Sequence, residues 1–282
     1  MNGKRARAGW AMLRAAHLGP TVTVTAIVTA LALGAGRWRS APVMAAAVLA
    51  GQLSVGWSND LIDRRRDRCA GRIDKPLATG ALDAGAVRRA AGAALIACVP
   101  LSLAVGRWAG AVHLGAVAAG WAYNAGLKAT AASVVPYAIA FGAVPAFVSL
   151  AGSDPAAPPA WVVLAAAALG SGAHFLNALP DLADDRRLGV EGLPQRLGAD
   201  GSLAAGAGLM AGCIVVVAIA LSAGGGATAA WTVAALGVAS TMLIGMVALA
   251  ALGARRAAWH GAMATSAAVT AAFVLGGASA LS

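Results

Sequence analysis

The sequence has little charge for its length. Only 11% of its 282 residues are charged, whereas 60% are hydrophobic and the mean hydropathy is +0.76. Because a soluble domain carries about 25% charged residues, this composition excludes an ordinary water-soluble enzyme, and the apolar excess excludes a disordered chain. Neither a glycine at every third position nor sustained heptads are present, which excludes collagen-like and coiled-coil structures. The composition therefore predicts an integral membrane protein.

Cysteine is scarce as well, and the basic excess has a simple explanation. Cys69, Cys98 and Cys213 are too far apart in the chain to form a metal motif, and an odd number cannot pair completely as disulfides. The net charge of +10 would suit a nucleic-acid partner, but no nucleic-acid-binding motif is present. Basic residues that flank membrane spans account for the charge, so we expect no nucleic-acid partner.

Nine apolar runs are long enough to cross a hydrocarbon core of about 30 Å. They cover residues 20–36, 42–58, 86–106, 109–127, 132–151, 161–179, 202–222, 228–251 and 260–281. The predicted fold class is therefore all-α, a polytopic bundle of nine transmembrane helices that forms one membrane domain over residues 1–282. Basic residues precede the first run, as in a signal peptide, but the eight later runs favour a signal anchor or plain first helix.

The basic residues predict the orientation of the bundle. With the basic N-terminus on the cytoplasmic side, only Arg37, Arg39 and Arg107 fall outside, as the positive-inside rule requires. The C-terminus is then outside, and residues 59–85 and 180–201 are cytoplasmic loops. We expect a multi-pass protein of the plasma membrane if the source is bacterial.

The acidic residues concentrate in two stretches that share the spacing N-x-x-x-D-x-x-x-D. The motif positions and one neighbouring acid in each stretch are Asn59, Asp60, Asp63 and Asp67, then Asn177, Asp181, Asp184 and Asp185. Residues four apart share one face of a helix, where like charges repel unless cations lie opposite. Mg²⁺ prefers oxygen ligands and keeps positions for water and substrate phosphate. The repeat therefore predicts two helix ends that clamp a diphosphate between Mg²⁺ ions, rather than two solvated loops of paired Asp and Arg.

With these motifs the sequence resembles the UbiA superfamily of intramembrane prenyltransferases. The stretch from Asn59 to Asp67 reproduces the first motif of that family, and Asp181-x-x-x-Asp185 reproduces the second. Residues 72–80 are similar to its R-P-L-x-S-G segment, and Gly189 and Leu197-Gly198 resemble residues that the family carries after its second motif. The resemblance implies a nine-helix membrane bundle, in agreement with the nine apolar runs.

Two departures from the family pattern indicate an outlying subfamily. Glu191 stands where members often carry a lysine, and Tyr123 precedes Lys128 by five residues instead of four. A continuous helix would therefore make Asn124 the partner of Lys128. We expect instead that Gly126 breaks the helix, which would return Tyr123 to the site.

The resemblance and side-chain chemistry together imply the roles of the site residues. The expected Mg²⁺ ligands are Asp60, Asp63, Asp67, Asp181, Asp185 and, as an alternate ligand, Asp184. The residues expected to bind the diphosphate are Asn59, Arg64, Arg72, Lys75, Tyr123, Asn124 and Asn177. The residues expected to act in catalysis are Asp63, Asp67, Asp181, Asp185, Lys128 and His174. His174 lies one turn before Asn177 and is the candidate to accept a proton or to orient that amide.

The function predicted on this basis is ionisation of a polyprenyl diphosphate by Mg²⁺ and transfer of the prenyl group to a lipophilic or aromatic acceptor, next to membrane lipid. A terpene cyclase of the UbiA type, in which the ionised chain closes on itself, is the nearest alternative. A transporter or lipid carrier is an alternative from another class, but its ion site would lie nearer the middle of the membrane. The remaining histidines, His17, His113 and His260, are interpreted as interface or packing residues.

Overall fold

The chain folds into a helical bundle over the residues that the computed structural model describes, 2–223 and 230–281. Twelve α-helices follow one another along this part of the chain. They are α1 (Asn2–Ala15), α2 (Leu18–Gly34), α3 (Ala41–Cys69), α4 (Pro76–Thr79), α5 (Ala84–Val105), α6 (Arg107–Ala125), α7 (Val135–Ser149), α8 (Ala160–Ala178), α9 (Leu182–Arg187), α10 (Leu193–Ala223), α11 (Ala230–Ala251) and α12 (Arg255–Gly276). Two short 3₁₀ turns, Leu127–Ala129 and Ala278–Leu281, complete the described chain.

Each of the nine predicted apolar runs coincides with a helix, which confirms an all-α membrane bundle. By length and composition, however, only six described helices can cross a membrane on their own: α3, α5, α8, α10, α11 and α12. A seventh span results if α2 is counted together with the end of α1, from which it bends by 70°. The predicted count of nine is thus not confirmed. Residues 228–229 of the eighth run lie outside the described residues.

The first acidic motif lies on helix, not in the loop predicted from residue 59. Helix α3 continues through Asn59 and Asp67 to Cys69. No glycine or proline interrupts the sequence between Trp57 and Cys69, so nothing stops the helix where the apolar run ends. Asn59, Asp63 and Asp67 therefore share one helix face, as the spacing predicts.

The second acidic motif is divided between two helices, which corrects the expectation of one continuous helix. Helix α8 ends at Ala178, and Asp181 immediately precedes the short helix α9. Pro180 stands between them, lacks a backbone N–H, and restricts the residue before it. Asn177 and Asp181 are consequently positioned by different helices.

Two large apolar clusters pack the helices of the bundle against one another. One joins α2, α3 and α7 around Val28, Met44 and Phe147, and the other joins α8, α10, α11 and α12 around Leu176 and Met210. Small residues also allow close approach of backbones. At Gly56 of α3, an added Cβ would lie 2.6 Å from the carbonyl oxygen of Ala16, at the junction of α1 and α2.

We expect Gly56→Ala to destabilise the protein by about 1–3 kcal/mol, because the new methyl group meets backbone that cannot rotate away. Thermal unfolding in detergent measures the effect. Gly115→Ala in α6 is the matched control, since no atom lies within 4 Å of its added Cβ. Equal melting temperatures for the two variants would contradict the close contact between α3 and the α1–α2 junction.

Candidate active site

Both acidic motifs face one cavity of about 710 Å³. At its polar end the lining includes all six motif positions and Asp184, namely Asn59, Asp63, Asp67, Asn177, Asp181, Asp184 and Asp185. The rest of the lining is largely apolar and includes Val24, Val28, Val48, Val144 and Phe147. The helix ends that carry the motifs therefore converge, and an apolar pocket extends from the point where they meet.

Lysine and arginine side chains already pair with the carboxylates at the polar end. Lys128 donates to Asn59 Oδ1 at 3.3 Å and to Asp63 Oδ1, while Arg66 donates to Asp63 Oδ2 at 2.8 Å. Arg72 donates to Asp181 Oδ1 at 3.2 Å and so connects the segment after α3 with the second motif. These contacts offset the repulsion between acids that share one cavity.

Arg72 is itself held by a second carboxylate. Its guanidinium donates two hydrogen bonds of 3.0 Å to Asp74. The hydrogen bond from Arg72 lowers the pKa of Asp74 to about 2, and the same contact raises the pKa of Arg72. Arg72 is therefore a permanent cation, and it pairs with both the exposed loop acid Asp74 and the motif acid Asp181.

Asp185 is supported by a residue that the motif spacing does not reveal. Gln195, buried at the start of α10, donates to Asp185 Oδ2 at 2.8 Å. Burial raises the pKa of Asp185 above its ordinary value, whereas Arg66 and the Gln195 hydrogen bond act in the opposite direction. Nothing in the nine residues between Asp185 and Gln195 marks the glutamine as a site residue.

Asp60 does not line the cavity, contrary to its predicted role as a direct metal ligand. It is only 1% exposed, and its Oδ1 accepts from Lys75 Nζ at 2.7 Å and lies 2.9 Å from His17 Nε2. One residue turns a helix by about 100°, so Asp60 faces the α1–α2 junction while Asn59 faces the cavity. Lys75 and His17 do line the cavity, and the prediction of His17 as a plain interface residue missed this contact.

Arg64 also lies outside the cavity, although the sequence predicts a contact with the diphosphate. It borders a separate surface depression formed with Leu61, Ile62, Arg65 and Arg68. Arg66 lies in the site instead, because the spacing i,i+3 places it beside Asp63 on the helix surface. The i,i+3 relation to Asp63 is the sequence signal that could have identified Arg66.

The end of α6 lies beside the two residues that the sequence offers as partners of Lys128, Tyr123 and Asn124. The helix ends at Ala125, and Gly126 follows with a φ of 153°, as predicted for a break at this glycine. Asn124 is buried and donates to Val55 O at 2.9 Å and to Ser58 Oγ at 2.8 Å. Asn124 therefore joins α6 to α3, and both Asn124 and Tyr123 line the cavity, while the hydrogen bonds of Lys128 go to Asn59 and Asp63.

His174 lies in an aromatic group that borders the cavity. Its ring centroid is 4.7 Å from that of Tyr137 and 5.7 Å from that of Tyr123. Its Nε2 is 3.0 Å from Ser133 Oγ, which also accepts the backbone N–H of Leu193. The tautomer of His174 sets whether Ser133 donates to Nε2 or accepts from it, and Nδ1 is buried without a partner among the described residues.

The polar end suits Mg²⁺ in its donor chemistry, since carboxylate and amide oxygens are the ligands that this ion prefers. Within residues 2–223 and 230–281, however, no three His, Cys, Asp or Glu side chains are close enough to hold a metal by themselves. The carboxylates are paired with Lys128, Arg66 and Arg72 instead. Ligands from a bound anion would have to complete the coordination of any ion held here.

Comparison with known proteins identifies relatives of the chain. The model of the UbiA prenyltransferase family matches residues 20–266. An apo UbiA homologue from Aeropyrum pernix K1 superposes with a TM-score of 0.70 at 21% identity, covering 89% of this chain and 96% of that one. A digeranylgeranylglyceryl phosphate synthase gives 0.68 at 17% identity, with coverages of 95% and 98%. A UbiA homologue from Archaeoglobus fulgidus bound to GPP and Mg²⁺ gives 0.65 at 18%, with coverages of 94% and 99%. No curated protein sequence matches the chain.

We expect Asn124→Ala to lower the free energy of unfolding by about 1–3 kcal/mol, because a buried amide that joins two helices is lost. Thermal unfolding in detergent tests this, with Ser222→Ala as a control that removes only an exposed hydroxyl bonded within its own helix. If Asn124→Ala kept full stability and weakened binding of a diphosphate ligand, the main role of Asn124 would be in ligand binding and not in joining the two helices.

Proposed function

The chain belongs to the UbiA prenyltransferase family and is an intramembrane prenyltransferase, and from this we propose that it ionises a polyprenyl diphosphate with Mg²⁺ and transfers the prenyl group to a lipophilic acceptor. One observation carries the proposal: cavity-lining acids of both motifs, and the three cations that pair with Asp63 and Asp181, meet at the polar end of a cavity that is otherwise largely apolar. Such a cavity accommodates a charged head and a hydrocarbon tail at the same time.

The relatives support the donor and the metal. The homologue from Archaeoglobus fulgidus has structures with GPP and Mg²⁺ and with DMAPP and Mg²⁺. In this chain Asp63, Asp67, Asp181 and Asp185 would hold the ions, with Asn59 and Asn177 as further oxygen donors, and Asp184 as an alternate ligand. When bound, Mg²⁺ supplies positive charge for the oxygen that leaves with the diphosphate.

The cations of the site would change partners when the donor binds. Asp63 and Asp181 are occupied by Lys128, Arg66 and Arg72, and a carboxylate that turns to a metal frees its cation. The freed ammonium and guanidinium groups can then donate to diphosphate oxygens. Lys75 also lines the cavity, but it would keep its hydrogen bond to Asp60 when the donor binds.

The reaction breaks the bond between the allylic carbon and the diphosphate oxygen, and the electron pair leaves with the oxygen. The apolar walls keep water away from the resulting cation, while the nearby faces of Tyr123 and Tyr137 favour positive charge. A nucleophilic atom of the acceptor then bonds to this carbon and loses a proton. His174 is the residue beside these rings that can take part in the proton transfer.

Removal of the metal or of one motif acid should abolish release of diphosphate. We expect no turnover in EDTA, recovery with Mg²⁺, and a loss of at least about a thousandfold in Asp63→Ala and Asp181→Ala, since a lost ligand costs several kcal/mol of transition-state stabilisation. Asp154→Asn is the control, because this exposed acid does not line the cavity. Full turnover in EDTA would contradict the role of Mg²⁺.

The neighbouring arginines of the first motif provide a matched pair. We expect Arg66→Met to raise the Michaelis constant for the donor about tenfold or more, because its guanidinium lies on Asp63 in the cavity. Arg64→Met should leave donor kinetics unchanged, because Arg64 borders the outer depression. Steady-state kinetics in detergent or nanodiscs gives the comparison, and the opposite order would restore the sequence-based assignment to Arg64.

The reaction products distinguish prenyl transfer from the two alternative functions, cyclisation and transport. With a labelled prenyl diphosphate and a mixture of lipophilic acceptors, the proposal expects an acceptor that carries the label. A cyclic hydrocarbon or alcohol formed without acceptor would instead show a UbiA-type terpene cyclase. If the label stayed on intact prenyl diphosphate while the protein bound it, a carrier or transporter function would replace the proposal.

A further inference from the structure

The connection between α9 and α10, residues 188–192, borders the cavity. Leu188 and Val190 line the cavity there, together with Gln195 at the start of α10. Of these three residues only Gln195 has a polar side chain. Glu191 of the same connection does not line the cavity, and its side chain is 74% exposed. Gln195 is therefore the polar group that this part of the chain presents to the site.

Two contacts hold the start of α10 against the turn that carries Lys128. Gly192 lies so close to the carbonyl oxygen of Lys128 that an added Cβ would clash with this atom. The backbone N–H of Leu193 donates to Ser133 Oγ at 2.9 Å, and Ser133 is fully buried. The start of α10 is thus fixed to the same part of the chain that supplies Lys128 to Asp63.

The backbone and the side chain of Gln195 are both held in place. Its carbonyl oxygen accepts from Arg186 Nε at 2.8 Å and also from Arg186 Nη2. Its side-chain Nε2 donates to Asp185 Oδ2 at 2.8 Å, and its Oε1 lies 2.7 Å from the position that an added Cβ on Gly192 would take. Because an ionised carboxylate only accepts hydrogen bonds, the amide nitrogen must be the atom that faces Asp185.

The group that donates to Asp185 differs from the groups that donate to the other paired acids of the cavity. Asp63 and Asp181 accept from lysine or arginine, whose positive charge offsets that of the carboxylate. The amide of Gln195 is neutral, and no ion pair in the part of the chain that the structure describes includes Asp185. Asp185 is therefore oriented without being neutralised.

Only one of the two carboxylate oxygens of Asp185 is used by this contact. Oδ2 accepts from Gln195, whereas Oδ1 accepts no hydrogen bond from residues 2–223 and 230–281. A carboxylate that binds a metal ion through one oxygen can accept a hydrogen bond on the other, and this bond fixes the direction of the ligand. The contact with Gln195 therefore leaves the geometry that a metal ligand needs.

We propose that Gln195 is a positioning residue of the metal site, which holds Oδ2 of Asp185 and so directs Oδ1 toward a Mg²⁺ ion bound with the diphosphate. This inference rests on the proposed function, since it assumes Mg²⁺ at the polar end of the cavity. Asp185 has no cation to release, so it can receive an ion without the exchange of partners that Asp63 and Asp181 require. Gln195 acts through Asp185 and does not touch the ion.

Metal affinity tests this role in the full-length protein. Mn²⁺ takes the place of Mg²⁺, a non-reactive prenyl thiodiphosphate takes the place of the donor, and the EPR signal of free Mn²⁺ is followed. Gln195→Met keeps the length of the side chain but cannot donate, so we expect it to weaken Mn²⁺ binding about tenfold to a hundredfold. If this variant does not fold, Gln195→Asn, whose amide is one methylene group shorter, carries the same expectation.

Glu191→Gln is the matched control for these variants. It changes an exposed residue of the same connection, which pairs with Arg196 at 3.6 Å and does not line the cavity. This control should keep the Mn²⁺ affinity of the wild type. An equal loss of affinity in Glu191→Gln and Gln195→Met would overturn the specific role of the glutamine.

Steady-state kinetics gives a readout that a general loss of structure would not reproduce. In Gln195→Met, the Mg²⁺ concentration for half-maximal diphosphate release should rise about tenfold or more, while kcat at saturating Mg²⁺ stays within about threefold of the wild type. A large fall in kcat with an unchanged Mg²⁺ requirement would overturn the positioning role.

A double-mutant cycle shows whether Gln195 acts through Asp185. In the Asp185→Ala background, Gln195→Met should have little further effect on Mn²⁺ binding, because the hydrogen bond is already absent. A loss of about tenfold in both backgrounds would overturn the inference, since the glutamine would then act on another group.

The same measurements distinguish failure of the inference from failure of the proposed function. A wild type that releases diphosphate in EDTA, or that binds no Mn²⁺ together with the thiodiphosphate, contradicts the proposed function itself. A wild type that binds Mn²⁺ with the thiodiphosphate, together with a folded Gln195→Met of equal affinity, overturns only the role of Gln195. Thermal unfolding in the same detergent establishes that the variant is folded.

Discussion

Carboxylates brought together beside a membrane repel one another, and the arrangement of the polar end depends on the way in which this repulsion is balanced. Asp63 lies between Lys128 and Arg66, Asp181 accepts from Arg72, and Asp60 accepts from Lys75. Several of these cations lie outside the spanning helices, in the segment after α3 and in the turn after α6. The acids therefore hold the connecting segments in place as much as the segments hold the acids.

The same balance supports the proposed exchange of partners in the site. A metal site assembled from three converging protein ligands would bind its ion tightly without substrate, and no such group is present among the described residues. In this site, the motif acids that have a charged partner pair with the flexible side chains of lysine or arginine. Binding of a diphosphate and its ions would bring charges of both signs at once, so cations and acids can separate without either being left unpaired in an apolar surrounding.

Helix periodicity allowed the sequence to predict which motif residues line one cavity, but it failed where contacts between distant parts of the chain position a residue. The spacing of the two motifs correctly brought Asp63 and Asp181 to one cavity, and Gly126 marked the true end of α6. Periodicity could not separate Arg64 from Arg66, because the direction of the cavity around α3 depends on which helices surround it. It also could not assign Asp60 to His17, since that contact requires the sharp bend between α1 and α2. The end of the apolar run likewise did not mark the end of α3.

The distances along the sequence between each acid and its cation have a consequence for synthesis of the protein, which proceeds from the N-terminus. Asp60 finds Lys75 only 15 residues later, and Asp63 finds Arg66 within its own helix. The acids of α3 that bind these cations can thus be neutralised while the second half of the chain is still being made. Arg72 has Asp74 as a partner two residues away, 109 residues before Asp181 exists. The segment after α8 then brings Asp181 to an arginine that already has a carboxylate partner, so neither group depends on the other for charge balance during synthesis.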